Sequence, residues 1–265
     1  MHILNDENPG LAPTRNGGLV DESKKSFLSQ SLHGSRRHLR SLACNALDIV
    51  AQRGKQTLFV TVTCNPMWPE IVEALGKNMT AFERPDIVDH VFKLRLDALL
   101  DNIRRGKYFG GHKSVYIIRV VEYQHRGMPH AHIVLKLENM PDEDDHDGMQ
   151  VWIDEFISAR LPTKPVVGVS SPADIKYYDL VIEKMTHTHA MKKQLLMNAV
   201  CFSIYWRPNA ADKMIVSHNR LMLLDWDGHC KVVFAGSTFC VLYLYKYLFK
   251  YLFKARCQES IAAIK

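Results

Sequence analysis

Ser114-Val-Tyr-Ile-Ile-Arg-Val-Val-Glu-Tyr-Gln124 is followed by His125-Arg-Gly-Met-Pro129 and then by His130-Ala-His-Ile-Val-Leu-Lys-Leu137. The first run alternates and is rich in β-branched and aromatic residues. The middle carries Gly and Pro, and the last run alternates again. That sequence of signals reads as a β-hairpin turning over residues 125–129. Its returning strand opens on His130-Ala-His132. Side chains two apart on a strand share a face, so both imidazoles point the same way.

Further strands and helices lie on either side. Thr57-Leu-Phe-Val-Thr-Val-Thr63 reads as a strand, ended by the two prolines of Cys64-Asn-Pro-Met-Trp-Pro69. Ahead of it Leu39, Leu42, Ala43, Ala46, Leu47, Ile49 and Val50 recur at threes and fours, a helix from Ser35 that Gly54 stops. A second helix is expected over 85–107, with Pro85 in its first turn and Ile87, Val88, Val91, Leu94, Leu99 and Ile103 as its apolar stripe. The acidic stretch 141–148 reads as a solvated loop, followed by helices over 149–160 and 173–200. Leu221 to Leu224 and Lys231 to Phe234 flank Asp225-Trp-Asp-Gly228 as the arms of a second hairpin. Residues 1–24, rich in Asn, Gly and Pro, read as a flexible arm, which leaves 25–265 as one domain. Antiparallel strands interleaved with helices give the fold class α+β.

Two histidines on one strand face can bind one divalent ion if a third ligand joins them. Glu122 and Gln124 on the preceding strand have the matching parity, and spacing does not choose between them. Imidazole accepts many metals, whereas a carboxylate or amide oxygen suits Mg²⁺ or Mn²⁺. His187-Thr-His189 repeats the spacing in a segment read as helix or loop, where i and i+2 do not share a face, and it is not assigned as a site.

Tyr243 to Lys254 repeats every four residues, as Tyr-Leu-Tyr-Lys, Tyr-Leu-Phe-Lys and Tyr-Leu-Phe-Lys. On a helix the Leu and Phe positions form one face, and the tyrosines 243, 247 and 251 share the other with Lys246, Lys250 and Lys254. Tyrosines at i and i+4 stand roughly 6 Å apart at Cβ. A phenol with its ordinary pKa of about 10 is a weak nucleophile, and neighbouring lysines ease its ionisation and hold a phosphate. An amphipathic surface helix would show the same stripe.

Composition narrows the partners. Hydrophobic residues make up 47% of the chain against 23% charged, a balance that packs a core. No apolar run reaches bilayer length and no leader is evident, so no membrane role is expected. Cys44, Cys64, Cys201, Cys230, Cys240 and Cys257 form no C-x-x-C pair and fit a reducing compartment. A formal charge of +6 favours a polyanionic partner without identifying it.

Four segments together resemble the helicase-like N-terminal domain of Helitron transposases. They are Leu58-Phe-Val-Thr-Val-Thr-Cys-Asn-Pro-Met-Trp-Pro-Glu-Ile71, Arg84-Pro-Asp86 leading into Val91-Phe-Lys-Leu94, Val121-Glu-Tyr-Gln-His-Arg-Gly-Met-Pro-His-Ala-His-Ile133, and Asp225-Trp-Asp-Gly-His229 followed by Tyr243-Leu-Tyr-Lys-Tyr-Leu-Phe-Lys250. The resemblance covers about residues 25–254. It implies a HUH endonuclease with a ferredoxin-like core, acting on single-stranded DNA in rolling-circle transposition. It implies that His130 and His132 ligate the metal. It also implies that Tyr243 and Tyr247 are paired nucleophiles forming 5′-phosphotyrosine links, with Lys246 and Lys250 beside them. A nuclear location and a helicase supplied by another chain follow as expectations.

Three features depart from the family. The tyrosine register is duplicated, so Tyr247 and Tyr251 also align with the pair. The region after Met185 has Met185-Thr-His-Thr-His189 where a Cys-rich run is usual. No G-x-x-x-x-G-K-[ST] phosphate loop occurs, so the ATP-driven helicase half is expected to be absent. Two rivals to the nickase stand: a non-catalytic DNA-binding remnant, and a metal phosphodiesterase using water. Trp68 reads as a loop anchor packed on the sheet, with stacking on a base as the alternative.

Overall fold

The computed structural model describes residues 35–76, 78–123, 127–142, 144–166, 168–187 and 205–235. The expected N-terminal arm and the tyrosine helix lie outside these residues, as do Gln124 and His189. The described elements are α1 (Arg36–Arg53), β1 (Leu58–Thr63), α2 (Pro69–Ala74), α3 (Pro85–Arg104), β2 (Ser114–Tyr123), β3 (Pro129–Leu137), α4 (His146–Phe156), α5 (Pro172–Lys184), α6 (Arg220–Trp226) and β4 (Cys230–Phe234).

Ser35 Oγ accepts from the His38 amide at the start of α1, and Gly54 with φ +86° turns the chain after it. Leu39, Ala46 and Val50 are the buried side of α1, while Leu42 and Ile49 are exposed, so the apolar stripe is narrower than its periodicity suggests. In α3 Leu94 is likewise exposed, and Phe92, Leu96 and Leu100 are buried with Val88, Val91, Leu99 and Ile103.

The four strands form one antiparallel sheet in the order β2-β3-β1-β4. The hairpin β2–β3 places β3 between β2 and β1, so β1 and β2 run parallel without touching, a split β-α-β arrangement. One face carries Val60, Val62, Ala131, Ile133, Cys230 and Val232, all buried. These join a single apolar cluster with Phe92 of α3, Trp152 of α4, Val181 of α5 and Leu223 of α6. The other face is polar at its β1–β3 end. At the opposite end Lys136 Nζ donates to Arg53 O at 2.7 Å and the Tyr116 hydroxyl to Gly54 O at 2.9 Å, which fixes the segment leaving α1.

The second hairpin is corrected by the structure. Leu221 to Leu224 belongs to α6, not to a strand. A short apolar run has no periodicity to separate strand from helix, and here the flanks decide. Asn219 caps the helix by accepting from the Met222 amide, and Asp227 ends it in the left-handed region at φ 54°. Asp225-Trp-Asp-Gly228 is therefore a helix end and turn that delivers the chain to β4, which pairs with β1 instead of with a hairpin partner. Two helix boundaries also move. α4 starts at His146 because Asp145 accepts from the Gly148 amide, inside the stretch expected to be loop. α5 ends at Lys184.

Candidate metal centre

Across the polar face, Glu122 pairs with His130, and His130 with Thr63. The next rung is Val120, His132, Thr61 and Lys231. The Thr63 amide donates to His229 O at 3.0 Å, which carries the first rung on to the residue entering β4. Glu122, His130 and His132 each offer one ligand atom, and those atoms lie within 4.8 Å of one another. This group is able to hold a metal ion. Gln124, the other sequence candidate for third ligand, lies outside the described residues, as do Tyr243, Lys246, Tyr247 and Lys250.

The inner ring nitrogens are anchored from β1. Thr63 Oγ1 lies 2.6 Å from His130 Nδ1, and Thr61 Oγ1 lies 3.1 Å from His132 Nδ1. His132 Nε2 faces Glu122 Oε1 at 3.0 Å. That separation matches the edge between adjacent ligands of an octahedral ion with bonds of about 2.1 Å. Glu122 Oε2 is buried and has no hydrogen-bond partner among the described residues. A buried carboxylate oxygen without a partner is costly, and a cation would satisfy it. The residues present thus fit a hard divalent ion with mixed nitrogen and oxygen ligands.

Burial, with His132 and His229 nearby, pushes the His130 imidazole down to about 3. The ring is neutral well below physiological pH and keeps a lone pair for a metal. Burial does the same to His229, down to about 4, helped by Lys231 and His187, and its Nδ1 has no partner among the described residues. His218, away from this face, is also held at about 4 by burial. Its Nδ1–H donates to Val216 O at 2.8 Å, which leaves Nε2 to accept from the Tyr177 hydroxyl.

Each of these depressed values sets a stability slope. Above the unfolded value near 6.5 both states carry neutral rings, and the stability is fully present. As pH falls from about 6.5 to about 4 the unfolded chain takes up protons that the folded chain refuses, and stability is lost. For His218 the loss is on the order of 3 kcal/mol across that window. Urea unfolding of the wild type from pH 7.5 to pH 4 is expected to show this fall, and His218→Gln to flatten part of it. An identical pH slope in the variant would mean that His218 does not contribute.

A clasp between distant segments supports Thr63. Trp68 is fully buried, and its indole N–H donates to Trp226 O at 3.0 Å and Asp227 O at 2.9 Å. The Asn65 amide donates to Asp227 O at 2.8 Å, and the Trp226 indole donates to Thr63 O at 2.9 Å. The two indoles meet edge to face with centroids 5.0 Å apart. Trp68 is the loop anchor expected from the sequence, and it has no free face for a base. At Gly228 a Cβ would lie 3.3 Å from Asn65 Cβ and from Thr63 O, so the turn sits tightly on this loop.

The sequence reading missed Thr61, Thr63 and His229. The signal was present for the threonines, which are polar and two apart in an otherwise apolar strand. Their role appears only once β1 is paired with β3. His229 had no signal beyond its place in a recognised segment.

No curated protein matches the chain. Residues 14–135 match the family model described as the Helitron helicase-like domain at the N-terminus. The match takes in β1, the β2–β3 hairpin and the His pair, while β4 and the tyrosine segment lie beyond it. Over residues 14–135, a little under half of its length, the chain is similar to that domain.

Proposed function

We propose that the protein nicks single-stranded DNA and transfers the cut strand through a 5′-phosphotyrosine link, as rolling-circle transposition requires. The observation that carries this reading is the meeting of Glu122, His130 and His132 on a polar sheet face within the Helitron-like domain. Mg²⁺ or Mn²⁺ held there would supply Lewis-acid polarisation of the scissile phosphate. Glu122, His130 and His132 would hold the ion, and the threonines of β1 fix the two rings.

Tyr243 and Tyr247 are the paired nucleophiles in this reading. The phenolic oxygen bonds to phosphorus as the bond from phosphorus to the 3′ oxygen breaks. The proton given up by the phenol is balanced by one gained on the freed 3′ oxygen. Lys246 and Lys250 favour the phenolate and bind the phosphate oxygens. The second tyrosine cuts or rejoins a second strand by the same exchange in either direction.

The test uses 3′-labelled single-stranded DNA with Mn²⁺ and a denaturing gel. The expected product is a labelled band at protein size that survives detergent and boiling and is lost in EDTA. Tyr247→Phe is expected to lower the adduct at least a hundredfold while leaving DNA binding within twofold, because the phenol acts only in the chemical step. Undiminished adduct in that variant would remove Tyr247 from the reaction. Cleavage without any adduct would make water the nucleophile. Salt-sensitive binding with no product on varied substrates would leave a DNA-binding remnant.

A further inference from the structure

Thr61 and Thr63 contribute more than packing to the polar face. Each hydroxyl touches the inner nitrogen of one ring of the pair, His132 faces Glu122 on its outer side, and Thr61, His130 and His132 are all at least nine-tenths buried. A carboxylate oxygen only accepts, so in the neutral His132 ring the proton lies on Nε2 and is donated to Glu122 Oε1. Nδ1 is then bare, and the Thr61 hydroxyl must donate to it. An ion bound between His132 and Glu122 needs the opposite arrangement, with a lone pair at Nε2 and the ring proton at Nδ1. A hydroxyl serves both states because it can donate or accept after a simple rotation. A carbonyl or carboxylate in its place would hold only the second state, and an apolar group neither.

We infer that Thr61 and Thr63 are positioning residues that keep the inner nitrogen of each ring hydrogen-bonded, and that Thr61 lets His132 exchange tautomer when a metal binds. The ring proton count does not change: one proton leaves Nε2 and one arrives at Nδ1, exchanged through water. The inference rests on the metal reading of Glu122, His130 and His132. It adds a role for β1 in setting the affinity of that site. The backbone of Thr63 is itself held on both sides, by Trp226 at its carbonyl and by His229 at its amide. The hydroxyl is thereby delivered at a fixed height over His130.

The experiment compares the full chain with Thr61→Val, Thr63→Val and the two Thr→Ser variants. Valine keeps the branched shape that β1 needs, and serine keeps the hydroxyl. Mn²⁺ binding is followed by the electron-spin signal of the free ion. Imidazole ¹⁵N shifts are recorded without metal and with Mg²⁺. The wild type is expected to show the Nε2–H form of His132 without metal and the Nδ1–H form with Mg²⁺. Each Val variant is expected to weaken Mn²⁺ binding about 10–100-fold, with serine restoring most of it. Thr61→Val should also move the metal-free Nδ1 shift of His132 toward that of a nitrogen without a hydrogen bond, which loss of affinity alone would not do. Val variants that bind Mn²⁺ within twofold of the wild type, or an unchanged metal-free Nδ1 shift of His132 in Thr61→Val, would overturn the inference. A wild type that binds neither ion while keeping the Nε2–H form of His132 would overturn the metal reading, a result distinct from the first.

Discussion

Replacing His132 by Ala is expected to lower metal-dependent cleavage by on the order of a thousandfold, with folding retained. The magnitude follows from the chemistry assigned to the site. Lewis-acid stabilisation of a phosphoryl transition state is worth several kcal/mol, and each 1.36 kcal/mol is a factor of ten in rate. His132 stands next to His130 with ring centroids 4.6 Å apart, and each ring offers a ligand atom within 4.8 Å of one on Glu122. Removing either ring breaks one ion site, so the double variant His130→Ala/His132→Ala should be little worse than a single one. Adduct yield with Mn²⁺ on the denaturing gel measures the loss, and circular dichroism checks the fold. Cleavage within tenfold of the wild type in His132→Ala would remove the pair from the reaction. Multiplicative losses in the double variant would mean that the rings act separately.

Trp226→Ala is expected to cost about 3–5 kcal/mol, the range for deleting a buried indole. Trp226 is almost fully buried and packs edge to face on Trp68 and Phe92, with centroids 5.0 and 5.6 Å away. Its loss also leaves Thr63 O without its indole donor. For a chain of this size each kcal/mol shifts Tm by about 2–4 °C, so a fall of about 6–20 °C is expected. Trp226→Phe keeps much of the packing but loses the N–H. It should therefore fall less in Tm while still weakening Mn²⁺ binding, because Thr63 sits between the clasp and His130. A Tm within 2 °C of the wild type in Trp226→Ala would show that the clasp carries little stability. Unchanged Mn²⁺ binding in Trp226→Phe would uncouple it from the metal centre.

The hairpin, the strand before it and the two long helices were legible because their signals are local. Alternation over 114–137 and the threes and fours of α1 and α3 need no knowledge of partners. The His pair was legible for the same reason, since parity alone puts His130 and His132 on one face. The choice of Glu122 as their neighbour needed the register of β2 on β3, which a turn of uncertain length does not give. The segment around Asp225 failed as a hairpin because its meaning is long-range. Leu221 to Leu224 is helical through the Asn219 cap and the left-handed Asp227, and β4 finds its partner across most of the chain. Thr61 and Thr63 were visible as residues, but their contacts exist only between strands.

The sheet order has a consequence for how the protein is made. The Trp226 indole and its acceptor on Thr63 are 163 residues apart in the chain. At 5–20 residues per second a ribosome takes about 10–30 s to cover that interval. During it β1, the strand that carries the threonines, lacks its neighbour β4 and presents an open edge with Leu58, Val60 and Val62 along it. Such an edge is a template for pairing with other nascent chains. A fragment ending with the matched segment at residue 135 would hold this exposed state permanently. Expression ending after Phe234 should therefore yield far more soluble material than expression ending at Leu135, even though both contain Glu122, His130 and His132.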